Sequence, residues 1–293
     1  PDPRTVPQIF CPYKEVLDLY NLNMQVPDDI TLVWPDDNHG YIRRLSNSAE
    51  RGRGGRSGVY YHLSYWGSPH DYLWLCSTPP ALIWEEMKKA YDYTADRVWI
   101  FNVGDIKPAE ICMEFALRMA WDIDQYDHTN IQTYLEQWAR RQFGPEYKEQ
   151  IAEILADYYR LGQTRKPEHM ATYASGEEFS LIHYGDETQR RIEAYKDLEA
   201  RADAIYQSLP AIFRDAFYQT ILYPIRGASL MNQKILYAKK SVAYASQGRV
   251  SANEYAAMAE AAYNQILAET DYYNNKTANG KWRHIMSCKP RGL

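Results

Sequence analysis

Thr31-Leu32-Val33-Trp34-Pro35-Asp36-Asp37-Asn38-His39-Gly40-Tyr41 is a short apolar run that stops abruptly in a cluster of carboxylates and an amide. Ile30 to Trp34, bordered by Pro27-Asp28-Asp29 and Pro35, has the length and the turn-forming flanks of a buried β-strand. Two adjacent aspartates and an asparagine would be costly inside that strand, so they belong to the loop after it. The pattern recurs. Gln8 to Cys11 runs into Tyr13-Lys14-Glu15, Gly58 to Ser64 into Tyr65-Trp66-Gly67, and Arg97 to Phe101 into Asn102-Val103-Gly104-Asp105. Helical signals lie between these runs, over Lys14 to Leu22 and over Thr78 to Tyr93, where Pro79-Pro80 opens a stretch with Leu82, Ile83, Met87 and Ala90. Strand, loop and helix in alternation imply parallel pairing, so roughly the first 120 residues are expected to form βα units.

In a (β/α)8 barrel the chemistry sits at the C-terminal ends of the strands. Glu15, Asp36, Asp37, Asn38, His62, Tyr65 and Asp105 all fall there. Four strands do not close such a barrel, and the chain opens at Pro1-Asp2-Pro3 without an initiator methionine. The expectation is an internal piece of a longer protein, with an open sheet as the alternative.

With 293 residues, 45% of them apolar, the chain can bury a large core and hold one or two domains. A net charge of −5 supplies no field to attract nucleic acid, and no apolar run approaches the roughly 20 residues that cross a bilayer. Neither nucleic acid nor membrane is expected as a partner. The 26 tyrosines and 8 tryptophans matter more, because flat rings with polar tips stack on sugars, although most such rings simply pack cores. The cysteines, at 11, 76, 112 and 288, form no CxxC pair, which argues against a readable zinc site or a disulfide scaffold, and Cys11 and Cys112 are expected to be small buried hydrophobes. No cofactor is expected.

After Asp105 the strand signals fade. Lys107 to Trp121 reads as a helix, 129–160 as two helices parted at Gly144-Pro145, Asp186 to Gln207 as another, and Pro210 to Ser246 as a long segment bent at Pro224 and Gly227. Ser251-Ala252-Asn253-Glu254 has the spacing of a capping box and opens a last helix to about Thr270. The expected organisation is residues 1–125 as part of a barrel and residues 126–293 as a helical bundle. Arg190 to Glu199 reads as a solvated helix face, Glu85 and Glu86 as surface residues, and the Ser46 to Ser57 loop, rich in arginine and glycine, as a mobile connector. That loop lacks the GxxxxGK[ST] order of a phosphate site, and an anion site there is the less favoured alternative.

Three long blocks carry a resemblance. Trp34 to Leu45 (Trp-Pro-Asp-Asp-Asn-His-Gly-Tyr-Ile-Arg-Arg-Leu), Gly58 to Trp74, and Asn102 to Glu110 are similar to the corresponding stretches of glycoside hydrolase family 115, the xylan α-1,2-glucuronidases. Tyr13-Lys14-Glu15-Val16 and Gly280-Lys281-Trp282 fit the same family, so the likeness spans essentially the whole chain. It implies a (β/α)8 barrel followed by a helical domain, with further domains on both sides. It also implies an enzyme that removes glucuronic acid, or its 4-O-methyl ether, from xylose in glucuronoxylan or its oligosaccharides, with inversion. Such an enzyme is secreted or periplasmic, and it forms a homodimer through regions outside this chain.

Inversion needs one carboxyl to protonate the leaving oxygen and one carboxylate to activate water on the opposite face, roughly 6.5–9.5 Å apart. Glu15 matches an essential acidic residue of the family and is the first choice for the base, with Asp36 second. The family's acid is expected upstream of this chain, in a Gly-Asp-rich motif not found here. Asn38, His62 and Tyr65 would bind sugar hydroxyls or the uronate. His62 and Tyr65 need not point the same way, since side chains alternate along a strand. Asp37 is equally well a turn or cap residue, and Asp105 equally well a helix cap. Two rivals remain: a non-catalytic carbohydrate-binding protein, and a metal-dependent hydrolase with Asp36, Asp37 and His62 as ligands.

Overall fold

The computed structural model describes residue 2 and residues 5–68, 70–170 and 179–288; Pro69, inside the second block above, lies outside them. The chain forms two compact units that interleave along the sequence. The first comprises Pro1–Tyr65, Pro80–Gly104 and Cys112–Ile131, and the second Trp66–Pro79, Asp105–Ile111 and Gln132–Leu293.

The first unit is built on a four-stranded sheet in the order β1 (Ile9–Phe10), β2 (Thr31–Pro35), β3 (Ser57–His62), β4 (Trp99–Asn102). Every pairing is parallel, with Leu32 opposite Ser57 and Val59 opposite Trp99. Helix α1 (Glu15–Asn21) follows β1, and α2 (Pro80–Asp92) lies in sequence between β3 and β4. Strand β2 is buried along its whole length, as an unbroken apolar run requires when both faces of a parallel sheet are covered. On α2, Ile83, Met87 and Ala90 are fully buried at helical spacing. Glu86 shares that face. It is buried, not on the surface as expected, and accepts a hydrogen bond from Ile42 N (2.6 Å) while pairing with Lys89 (2.6 Å).

The arginine-rich connector, expected to be mobile, is tied to its surroundings by several side-chain bonds. Arg53 donates to the carbonyls of Val26, Pro27 and Ile30, Arg56 pairs with Asp96, and Arg44 forks onto Glu50 at 2.6 and 2.7 Å. Arg53 and Arg56 thus serve the chain's own carbonyls and a carboxylate, while the exposed Arg51 lies over the Tyr93 ring and near Ser48 Oγ.

Helix α3 (Glu110–Trp121) leads to the helices α4 (Ile131–Phe143), α5 (Lys148–Thr164), α6 (Glu187–Ser208), α7 (Ala211–Phe217), α8 (Tyr223–Ser246) and α9 (Ser251–Asn275). Helix α8 packs lengthwise on α9 and also on α6. Helix α8 runs unbroken through Pro224 and Gly227, where a bend was expected, and a π-helical turn, Tyr218–Leu222, stands just before it, where Pro224 has no N–H for the residue four before it. Gly227 has another cause: a Cβ there would stand 3.0 Å from the Trp74 ring. Two local expectations fail. Val250 takes the N-cap position of α9 without a side-chain bond, so Ser251 caps nothing. The Arg190 to Glu199 stretch hides half its circumference: Ile192, Tyr195 and Leu198 are fully buried, and the buried Arg191 donates to Asn232 Oδ1 (2.7 Å). Among the described residues no helix is long and apolar enough to cross a membrane. Cys112 is buried, Cys11 half-buried, and all four cysteines are free thiols.

Candidate active site

The ends of β2 and β3 meet through Asp36. Its backbone N–H extends the ladder to Tyr60 O (3.0 Å), which turns the carboxylate toward β3. One carboxylate oxygen accepts from His62 N (3.0 Å); the other accepts from Asn38 N (3.0 Å) and faces His62 Nδ1 at 2.6 Å. Because the carboxylate only accepts, the imidazole proton in that contact lies on Nδ1, which fixes the tautomer and the ring plane. Both side chains are almost fully inaccessible. Asp36 therefore orients His62, and its buried, fully engaged oxygens are not placed to activate a water.

Around His62 stand three tyrosines: Tyr13 stacked at 6.1 Å, Tyr60 at 4.6 Å, and Tyr65 edge-on at 5.4 Å. His62 and Tyr65 come together because β3 ends at His62 and the chain then turns, with Leu63 N and Ser64 N both donating to Asn102 O. Asn38 adopts a left-handed backbone (φ 68°), which asparagine tolerates, and its Oδ1 accepts from the Tyr13 hydroxyl. Burial, and after it the neighbouring Tyr65 hydroxyl, push the Tyr13 phenol above its usual range, so it stays protonated and donates.

Lys14 has a positive φ of 52° just before α1. For a side chain with a Cβ such a backbone is strained, and strain of this kind concentrates at functional sites. Its ammonium donates to the Tyr65 hydroxyl (3.0 Å) and lies 5.3 and 5.5 Å from the Tyr13 and Tyr65 ring centres. It makes no ion pair among the described residues. Glu15, the next residue, is exposed at the start of α1, and its carboxylate has no partner among the described residues. Lys14 and Tyr13 were not among the expected site residues, although both stand at a strand end beside Glu15 in a stretch that resembles the family.

Asp37 leaves the cluster. It accepts from His39 N and Tyr41 N and pairs with Arg43 at 2.8 Å, which makes it the turn residue of the loop. That engagement also removes it from the three-ligand set of the metal rival, and among the described residues no group of three His, Cys, Asp or Glu could hold a metal ion. Asp105 is exposed in the Asp105–Ile111 segment, which belongs to the second unit, and its carboxylate has no partner among the described residues.

A search of curated proteins returns no match. Among solved structures, one described as a novel family GH115 4-O-methyl-alpha-glucuronidase, BtGH115A, with specificity for decorated arabinogalactans, is 39% identical with a TM-score of 0.88. The alignment covers 99% of this chain but only 38% of that one. The model of glycosyl hydrolase family 115 matches residues 1–169, more than half of the sequence, and the chain belongs to that family.

Proposed function

We propose that this chain carries part of the active site of a glycosidase that removes glucuronic acid, or its 4-O-methyl ether, from its α-1,2 link to xylose in glucuronoxylan, with inversion. The observation that carries this reading is the exposed Glu15 carboxylate, unpaired among the described residues, which directly follows Tyr13 and Lys14, the two residues bonded to Asn38 and Tyr65 at the strand ends. Glu15 activates the water. Lys14 supplies the positive charge that a uronate requires, and the neutral donors Asn38 and Tyr65 position the sugar. His62, held by Asp36, hydrogen-bonds a sugar hydroxyl, so Asp36 acts as a positioning residue. Asp37 and Asp105 receive no role in this scheme.

The family membership and BtGH115A support a glycosidase acting on glucuronic acid; linkage and stereochemistry are our reading. In the same reading the strands β1 to β4 belong to a (β/α)8 barrel completed outside this chain, where the proton donor also lies. The whole enzyme works outside the cytoplasm, needs no cofactor, and dimerises through other regions.

The test uses the intact protein and a glucuronosylated xylo-oligosaccharide, with the anomer of the released sugar followed by NMR. Glu15→Gln is expected to lower kcat by at least about 10³-fold while oligosaccharide binding persists. Full activity of that variant removes Glu15 as the base, and binding without turnover in the wild type selects the carbohydrate-binding rival. A second substrate reading has one specific support, the decorated-arabinogalactan specificity of BtGH115A. Faster release from glucuronosylated arabinogalactan than from glucuronoxylan selects it.

A further inference from the structure

The second unit contains a cleft of about 340 Å³ that the proposed reaction does not use. Its size falls at the lower end of the roughly 300–1,000 Å³ typical of small-molecule sites. Tyr218 and Glu269 form a buried floor, the half-buried Tyr206 a wall, and the exposed Tyr272 and Gln265 the rim, with Arg226 alongside. The Tyr218 ring lies 4.8 Å from that of Tyr272 and 6.4 Å from that of Tyr206.

The polar groups are held in place before any ligand arrives. Glu269 accepts from the Tyr218 hydroxyl (2.7 Å) and from Gln265 Nε2 (2.9 Å). Arg226 donates to both Glu269 oxygens (3.1 Å) and to Asp203 (2.6 Å). The guanidinium charge is therefore spent within the protein, and with Glu199 4.0 Å away the surroundings carry a negative surplus, which disfavours an anion. Beside the Arg226–Glu269 pair and the Tyr218 phenol bonded to it, the lining is uncharged: Ala268, Gln265, and the Tyr206 and Tyr272 phenols, which are bonded to each other.

The lining is more than a source of stability. A partly buried ion-pair network is a weak source of stability compared with apolar packing. The Tyr206 and Tyr272 rings, beside that network, line the cleft with flat faces of the kind that stack on sugars.

We infer that this cleft is a second, non-catalytic site for a neutral sugar residue of a glycan chain, stacked on Tyr206 and Tyr272 and hydrogen-bonded to Gln265. The choice of a glycan rests on the glycosidase reading above; the neutrality of the ligand rests on the cleft alone.

The experiment is calorimetric titration of the intact protein with xylotetraose and with a neutral galacto-oligosaccharide. At least one should bind. Tyr272→Ala and Gln265→Ala, both at exposed positions, should each weaken that binding by at least about ten-fold. They should leave Tm and the turnover of a short glucuronosylated substrate unchanged, and Glu15→Gln should leave neutral-sugar binding intact. The inference is overturned if neither neutral oligosaccharide binds, if Gln265→Ala leaves binding unchanged, if Glu15→Gln abolishes it, or if spermidine displaces the sugar from the wild type. Cleft-dependent binding in a protein without glucuronidase activity would overturn the glycosidase reading and leave this site standing.

Discussion

Asp36 and Glu15 are both acidic residues at strand ends, yet their surroundings give them different chemistry. Asp36 spends its oxygens on His62 and on two backbone N–H groups, so its replacement should act through the imidazole. In Asp36→Asn the amide can present N–H to Nδ1 and favour the other tautomer, and kcat in the intact enzyme should fall about 10²-fold, because hydrogen bonds to sugar hydroxyls that strengthen in the transition state supply several kcal/mol. The KM should change far less, and a purely structural defect would instead show as a lowered Tm with kcat per folded molecule preserved. Lys14→Met tests the proposed uronate contact. It removes the cation but keeps the stem over the two rings, and kcat/KM should drop roughly 10²-fold, mainly through KM, as expected for loss of one charge-assisted hydrogen bond. An unchanged KM would show that the carboxylate is held elsewhere. The positions of Glu15, Asn38, His62 and Tyr65 at strand ends were legible from the alternation of apolar runs and polar loops. The division of labour was not, because it depends on which carboxylate oxygens face a neighbouring strand and on a positive φ at Lys14, neither of which leaves a mark in residue order.

At the scale of elements, the four strands and most helices could be read because hydrophobic period and proline or glycine punctuation act locally. The π-helical turn, the bare N-terminus of α9 and the burial of Arg191 and Glu86 escaped, since each is decided by what packs against the element. Gly58 shows how tight that packing is. A Cβ there would stand 2.1 Å from the carbonyl oxygen of Val98, whose acceptance from Val59 N (2.9 Å) helps join β3 to β4. Gly58→Ala should cost about 3 kcal/mol, measured by chemical denaturation, because backbone and not a flexible side chain must give way. The arginine-rich connector makes a separate prediction about acid. Burial opposes the ionisation of Glu50, but Arg44, Asn47 N and Tyr20 together outweigh it and hold its carboxyl below the usual value. Arg44 in turn lies 4.0 Å from the Trp34 ring centre, so the pair ties the loop to β2. A depressed folded-state pKa stabilises above the unfolded value, about 4.3, and that stabilisation is lost as pH falls through the folded value. Glu50→Gln should therefore lower Tm near neutrality, and the gap from wild type should shrink below about pH 4. A gap independent of pH would assign the effect to packing.

For the molecule as a whole, the 38% coverage of BtGH115A, set beside a sheet whose order ends at β1 and β4, bears on the proposal that a barrel is completed elsewhere. Strand β1 is two residues long and its Ile9 is 54% exposed; on β4, Ile100 is 36% exposed. Unpaired strand edges with exposed apolar side chains are templates for intermolecular pairing, and a closed barrel removes them. Residues 1–293 produced alone should therefore associate in a concentration-dependent way through the β1 and β4 edges, seen as rising mass in light scattering. Ile9→Lys and Ile100→Lys should reduce that association, since charge on an edge strand discourages pairing. The same polypeptide should release no measurable glucuronic acid, because a base without a proton donor opposite it forfeits general acid catalysis, worth about 10²–10⁴-fold, along with the remaining walls of the site. On the proposal of a barrel completed elsewhere, adding the segments that complete it should bring back activity and abolish association together. An isolated chain that stays monomeric at high concentration and turns over substrate at the rate of the intact enzyme would place the proton donor within these residues and make the four-stranded sheet complete as it stands.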